Sequence, residues 1–304
     1  MKNILCTTSS FGNYSPHIFK KLKSKGLNPV LNPFQRKLTP HELQELLLKH
    51  RPVALLAGTE EITGDVLHSA KDFLKVISRV GVGWDNVDHG TVSALGIKIY
   101  RTEGVLNNAV AELALGMMLS ALRNIPLQDR EIRTGKWQKY MGSMLNGKVV
   151  GVIGYGAIGQ RVGELCHAFG AQIIYYDPVP KSVPYADSVS REDLISGSDI
   201  ITIHADGSGS VLGKKELEMM HQGIILVNTA RGGMIDEKAL ESALSSGKVA
   251  CACLDVFEQE PYNGPLAHMD NVVLTAHIGS YAKEARVIME EMAVENMLTG
   301  LGVS

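Results

Sequence analysis

No sign of charge dominates this sequence: 30 Lys and Arg stand against 32 Asp and Glu, for a net charge of −2. So balanced a chain has no basic footprint for nucleic acid or for an anionic membrane. Aromatic residues make up only 6%, which argues against a platform for stacking bases. Four cysteines in 304 residues are too few for a disulfide scaffold. Cys251 and Cys253 lie two apart in an apolar run, so a strand would put both on one face. Buried packing is expected there, because metal binding needs more ligands than that run supplies. Apolar runs are short, and none reaches the roughly 18 residues of a membrane span. The first residues, Met1-Lys2-Asn3-Ile4-Leu5-Cys6, lead straight into a strand-like segment without the apolar core of a leader peptide. A reducing cytoplasm is the expected compartment.

What is present is a rhythm. Apolar runs alternate with helix-like stretches, the βα order of parallel-sheet proteins. Strands are expected at 3–6, 29–31, 53–57, 74–78 and 97–100, with helices near 17–25, 40–50, 63–71 and 86–94, a complete small α/β unit. A helix over 109–123, rich in Ala, Leu and Met, is apolar nearly all round and should be buried. A polar stretch, 129–147, leads into a second series with strands at 148–153, 172–177, 199–204, 224–228, 249–255 and 272–275. Six strands with crossovers predict a doubly wound parallel sheet of Rossmann type. The last helix, near 282–298, has no strand to lead to and is expected to fold back on the first unit.

The sharpest local motif is Gly154-Tyr155-Gly156-Ala157-Ile158-Gly159. It follows an apolar strand, opens a helix and lies in a βαβ unit of about 30 residues, the context a dinucleotide loop requires. Gly154 suits the tight turn, Gly156 lets the backbone approach a pyrophosphate, and Gly159 allows close helix–strand packing. The helix N-terminus offers free N–H groups to the phosphates. Asp177 ends the next strand, where a carboxylate accepts from ribose hydroxyls and repels a 2′-phosphate. NAD is therefore expected rather than NADP.

Ligands of such sheets bind beyond the carboxyl ends of the strands. There the sequence sets His204, Thr229-Ala230-Arg231, Asp255 with Glu260, and His277 with Gly279. Oxidising an alcohol requires hydride transfer and removal of the hydroxyl proton, a task suited to His. A neighbouring carboxylate orients the imidazole and raises its pKa, and Arg grips a substrate carboxylate in two-pronged fashion.

Three longer phrases carry a family resemblance: Val227-Asn228-Thr229-Ala230-Arg231-Gly232-Gly233-Met234-Ile235-Asp236-Glu237, Leu254-Asp255-Val256-Phe257-Glu258-Gln259-Glu260-Pro261 and Leu274-Thr275-Ala276-His277-Ile278-Gly279. With Gly81-Val82-Gly83-Trp84-Asp85-Asn86-Val87-Asp88 near the N-terminus, the chain resembles the D-isomer-specific 2-hydroxyacid dehydrogenases. The resemblance implies a flavodoxin-like substrate domain, 1–100 completed by 281–304, and an NAD-binding Rossmann domain, 101–280. It implies His277 as acid/base, Glu260 as its partner and Arg231 as the substrate-carboxylate ligand. Gly154, Gly156, Ala157, Ile158, Gly159, Asp177, Thr229, Ala230, Asp255 and Gly279 would meet NAD. Arg79, Val80, Gly81 and Val82 would meet the substrate, a small 2-hydroxy or 2-oxo acid, and a homodimer is implied. Gly135-Lys136-Trp137 and Met141-Gly142 look most like phosphoglycerate dehydrogenases. Three departures stand out: the short segment 205–210 after His204, Ala276 where a Pro is usual, and Ala57-Gly58-Thr59 where those enzymes often place a basic residue. Trp84 is large for its loop and is expected to narrow the pocket. The alternatives are a formate- or phosphite-type dehydrogenase and a non-catalytic, NAD-sensing corepressor-like protein.

Overall fold

Short β-rich runs bounded by polar turns become parallel strands here, and the amphipathic stretches between them become the covering helices. The computed structural model describes residues 1–207 and 209–303. These fall into two units, Met1–Leu106 with Ser280–Ser304, and Asn107–Gly279.

The first unit runs β1 (Lys2–Cys6), α1 (His17–Ser24), β2 (Leu27–Leu31), α2 (Pro40–His50), β3 (Ala54–Ala57), α3 (Gly64–Ala70), β4 (Val76–Arg79), α4 (His89–Ala94) and β5 (Lys98–Tyr100). Local chemistry starts its helices. Thr39 caps α2 by accepting the Glu42 N–H, and Glu42 returns a bond to the Thr39 N–H, a capping box worth about 1 kcal/mol. The strand order is β2-β1-β3-β4-β5, all parallel, which is the flavodoxin-like order with its reversal between β1 and β3. Leu43, Leu47, Leu55, Leu67 and Ile77 pack one face of this sheet, each fully buried side chain contributing about 1.5–3 kcal/mol.

The second unit begins with α5 (Asn107–Leu122) and α6 (Ile125–Arg133). It continues through β6 (Val149–Ile153), α7 (Ala157–Ala168), β7 (Gln172–Tyr176), β8 (Ala186–Ser188), α8 (Arg191–Gly197), β9 (Ile200–Ile203), α9 (Lys214–Met219), β10 (Ile224–Asn228), α10 (Glu237–Ser245), β11 (Val249–Leu254) and β12 (Val272–Leu274). The strand order β12-β11-β10-β9-β6-β7-β8 is the doubly wound order expected, with one more strand than the sequence reading allows. That strand, β8, is three residues long at the sheet edge, too short to show a period of two. Helix α6 is the other addition. It falls across a stretch read as polar because it buries no residue, leaving Ile125 and Ile132 half-exposed. By contrast α5 buries Ala111, Ala114, Met118 and Leu122, as its uniformly apolar surface predicts. The last helix, α11 (Lys283–Leu301), returns to the first unit, where the Ala293 carbonyl accepts from the Ser78 hydroxyl.

Register positions the site. Ile153 pairs with Tyr176 and Ile203, Ile203 with Asn228, Asn228 with Leu254, and Leu254 with Leu274. One row of residues thus ends six strands at a common edge, and the next residue of each strand points its chemistry at the same rim. Among the described residues no single helix is long and apolar enough to cross a membrane.

Candidate active site

The reversal of strand order in the larger, all-parallel sheet lies between β6 and β9, and the glycine loop follows β6 there. Gly154 has φ +86, and a Cβ on it would stand 2.5 Å from the Ala205 backbone nitrogen. A Cβ on Gly159 would lie 2.1 Å from the Gly154 carbonyl oxygen, so the first turn of α7 closes on the loop only because residue 159 has no side chain. Above Gly156 nothing stands within 4 Å of the Cβ position, leaving the backbone open for a phosphate. Tyr155 holds the loop from beneath. Its ring is fully buried and stacks on Tyr175 at 3.9 Å.

Asp177 closes this half of the site. Its Oδ2 accepts the Tyr155 N–H at 2.7 Å and its Oδ1 the Val179 N–H at 2.8 Å. The carboxylate therefore ties the glycine loop to the end of β7 and keeps lone pairs for a diol. His204 sits on the same rim, its ring 2.8 Å from the Thr202 hydroxyl. Burial lowers its pKa to about 3, so it stays neutral and is no proton donor near neutral pH. Ser208, within the short segment 205–210, lies outside the described residues.

At the other end of the rim, Asn228 is 2% exposed and shapes the loop after β10. It accepts the Ala230 N–H and donates to the Arg231 carbonyl. Thr229 beside it carries a buried hydroxyl with no hydrogen-bond partner among the described residues. An orphaned buried polar atom on the same rim as the glycine loop is what a bound dinucleotide would satisfy. With the open face of Gly156 and the paired oxygens of Asp177, these residues fit NAD.

His277 occupies a left-handed backbone conformation, φ +54, uncommon for a residue with a side chain. Asp255 enforces it. This carboxylate is 1% exposed and accepts the Thr275 hydroxyl (2.5 Å), the Ile278 N–H (2.8 Å) and the Gly279 N–H (2.9 Å). Asp255 and Gly279, expected above to meet NAD, build the turn that presents His277. The half-exposed imidazole places Nδ1 2.9 Å from Glu260 Oε2. That hydrogen bond raises the His277 pKa above its ordinary 6.5; burial and the nearby Arg231 charge act against it, and Asp255 with it. Histidine, carboxylate and guanidinium therefore meet electrostatically at one end of the rim, the other ring nitrogen being left to face a substrate.

The first unit modifies the substrate assignments. The Val80 N–H donates to the Ala57 carbonyl and the Gly81 N–H to the Thr102 hydroxyl. Neither is available to a ligand. The Val82 and Gly83 N–H groups show no partner among the described residues. Arg79 is 5% exposed and donates to the Gly83 and Ala57 carbonyls, holding the loop from below instead of facing solvent. Trp84 lies under the Arg101 guanidinium (4.3 Å) and against His89 (4.8 Å), so its bulk is absorbed within its own unit. Thr102 and Asn228, which order these loops, leave no sequence signal, because their bonds are to distant or irregular backbone. All four cysteines are free, and Cys253 is fully buried in the core. No cluster of metal ligands occurs among the described residues.

Comparison with known proteins agrees with this geometry. The family model described as "D-isomer specific 2-hydroxyacid dehydrogenase, NAD binding domain" matches residues 115–279. The chain is 36% identical to a hydroxypyruvate reductase of Thermotoga maritima over 95% of its own length and 99% of that protein's. It is 38% identical to a D-3-phosphoglycerate dehydrogenase of Archaeoglobus fulgidus over 88% of its length, but spans only 53% of that protein. The structure of a glyoxylate reductase from Paecilomyes thermophila superposes with a TM-score of 0.84 at 30% identity, covering 98% of this chain and 94% of that one.

Proposed function

This chain belongs to the D-isomer specific 2-hydroxyacid dehydrogenases, NAD-dependent oxidoreductases, and on that premise we propose that it interconverts a short 2-oxo acid and its D-2-hydroxy acid, with His277 as acid and base. The observation that carries this reading is the Glu260–His277 pair at 2.9 Å on a turn held by Asp255. A non-catalytic corepressor-like role is not favoured, since the relatives named above are reductases and dehydrogenases.

The dinucleotide supplies the hydride acceptor or donor when bound. Gly154, Gly156, Gly159 and the N–H groups of Ala157 and Ile158 would hold its pyrophosphate, Asp177 its ribose, and Thr229 and Ala230 its nicotinamide end. Arg231 binds the substrate carboxylate. In reduction, His277 delivers its Nε2 proton to the carbonyl oxygen as that oxygen gains charge. Glu260 fixes the ring through Nδ1 and stabilises the imidazolium form, so the proton is held until it is needed. In oxidation the same nitrogen takes the hydroxyl proton. The relatives' names point to hydroxypyruvate and glyoxylate as the first substrates to try. NADH oxidation with these, pyruvate, branched 2-oxo acids and 3-phosphohydroxypyruvate tests the reading; tight NADH binding with no turnover of any would overturn it.

The raised pKa of His277 gives a signed pH dependence. Reduction needs the imidazolium, so its kcat stays level at low pH and falls about tenfold per unit above that raised pKa. Oxidation needs neutral imidazole and rises through the same region. Glu260→Gln removes the main cause of the shift and moves both limbs to lower pH. A limb that stays in place in the Gln variant would separate the profile from this pair.

We also propose that the enzyme is a homodimer of the cytoplasm. Trp137 (82% exposed), Met141 (97%) and Met144 (71%) follow the half-exposed Ile125 and Ile132 along one segment of the NAD-binding unit, an apolar surface that a second copy would cover. The double variant Trp137→Glu with Met141→Glu should elute as a monomer on size exclusion; a wild-type monomer would refute the proposal.

A further inference from the structure

Cys251 and Cys253 have no part in the site described above, yet they lie on β11, the strand that leads to Asp255. They stand two residues apart, so their side chains leave the sheet on one face. Cys253 is fully buried there against α5, and its thiol donates to the Met117 carbonyl at 3.4 Å. Cys251 packs beside the same core and is only half-buried. The two thiols are within hydrogen-bond reach of each other. That contact lowers the pKa of Cys251 against the effect of burial, and together with burial it raises that of Cys253. The remaining cysteines differ: Cys6 and Cys166 are fully buried, and burial raises both thiols, Cys166 to about 12.

A thiol that ionises readily, reaches solvent in part and touches a second thiol is the arrangement that oxidises reversibly to a disulfide. In an extended strand, residues two apart have Cα atoms about 6.6 Å from each other, at the far end of the roughly 4.4–6.8 Å that a bridge spans. Closing the bridge therefore draws the strand in. β11 has slack for this just before Cys251: Val249 pairs with Ile224 and Cys251 with Ile225, so Ala250 stands out of the ladder as a bulge.

We propose that Cys251 and Cys253 form a peroxide-sensitive dithiol switch in the NAD-binding unit, whose disulfide slows the enzyme and whose reduction restores it. The Cys251 thiolate attacks a peroxide oxygen; an S–O bond forms, the O–O bond breaks and hydroxide leaves. The Cys253 thiol then attacks the Cys251 sulfur, and the S–S bond forms as the S–O bond breaks. With the protons of both thiols, the two oxygens depart as two waters, so the pair loses two electrons and the peroxide gains them. An added dithiol reverses the bridge by exchange.

The bridge acts through β11 and β12. Ala252, between the two cysteines, donates its N–H to the Asn271 carbonyl at 3.2 Å, and Cys253 pairs with Val273. Asp255 lies two residues beyond Cys253 and holds the His277 turn through the N–H groups of Ile278 and Gly279. Drawing in residues 251–253 thus shifts the carboxylate that presents the imidazole. The effect on turnover rests on the reading of His277 given above; the bridge itself does not.

Purified enzyme treated with hydrogen peroxide, then unfolded and alkylated, should have lost two hydrogens and two alkylation sites, both in the tryptic peptide that begins at Val249. Its kcat for 2-oxo acid reduction should fall about tenfold and return with dithiothreitol. Cys251→Ala, at the half-buried position, should keep its activity through the same treatment, and Cys253→Ala should form no bridge. Wild-type enzyme in which Cys251 stays a thiol, or is oxidised alone, would overturn the switch. A bridge that leaves kcat unchanged, or an equal loss of activity in Cys251→Ala, would overturn its control of turnover. A chain that forms the bridge but reduces no 2-oxo acid would refute the reductase reading and uphold the dithiol assignment.

Discussion

Replacing His277 by Ala should lower turnover in either direction by about 10²–10⁴-fold, while NADH affinity stays within a few-fold of wild type. The separation follows from the wiring of the turn. Asp255 takes the N–H groups of Ile278 and Gly279 and the Thr275 hydroxyl, so the turn is held by backbone and by residues other than the imidazole. The ring itself is half-exposed and bonds Glu260. Alanine removes the proton carrier and keeps the scaffold, at a modest cost for the left-handed φ. Steady-state kinetics with NADH fluorescence titration reads both quantities. Collapse of NADH binding together with turnover would make His277 a structural residue and refute its role as acid.

Asp177→Ala should weaken NADH binding by about tenfold or more and raise the relative use of NADPH. Two effects add here. The ribose loses its acceptor, and the glycine loop loses its tie to β7, because Oδ2 holds the Tyr155 N–H. Asp177→Asn separates them: it keeps an oxygen for one of the two N–H groups and removes the negative charge facing the 2′ position. A preference for NADPH that rises in Asn and Ala alike isolates the charge; weakening confined to Ala isolates the loop. Unchanged coenzyme preference in both would contradict the ribose assignment.

Features set by neighbours in sequence were legible before any coordinates. Gly154 and Gly159 announced a loop in which a Cβ would strike backbone, and the alternation of apolar runs announced two parallel sheets. The strand-end positions of Asp177, Asp255 and His277 followed from the same pattern, since strands in register bring their next residues to one rim. That β8 and α6 were missed has a local cause: three residues cannot show a period, and a helix that buries nothing shows no stripe.

Tertiary structure decided which partners those residues meet. Asp255 is a strand-end carboxylate by its place in the sequence, and only the fold shows that its oxygens hold the His277 turn. Val80 and Gly81 bear N–H groups like any residue, and only the nearness of Ala57 and Thr102 gives those groups partners within the fold. Sequence determines where backbone must bend and which faces must be buried, because those are short-range demands of sterics and solvation. It does not state which buried donor meets which acceptor, since those bonds join residues tens of positions apart that only the folded sheet brings together.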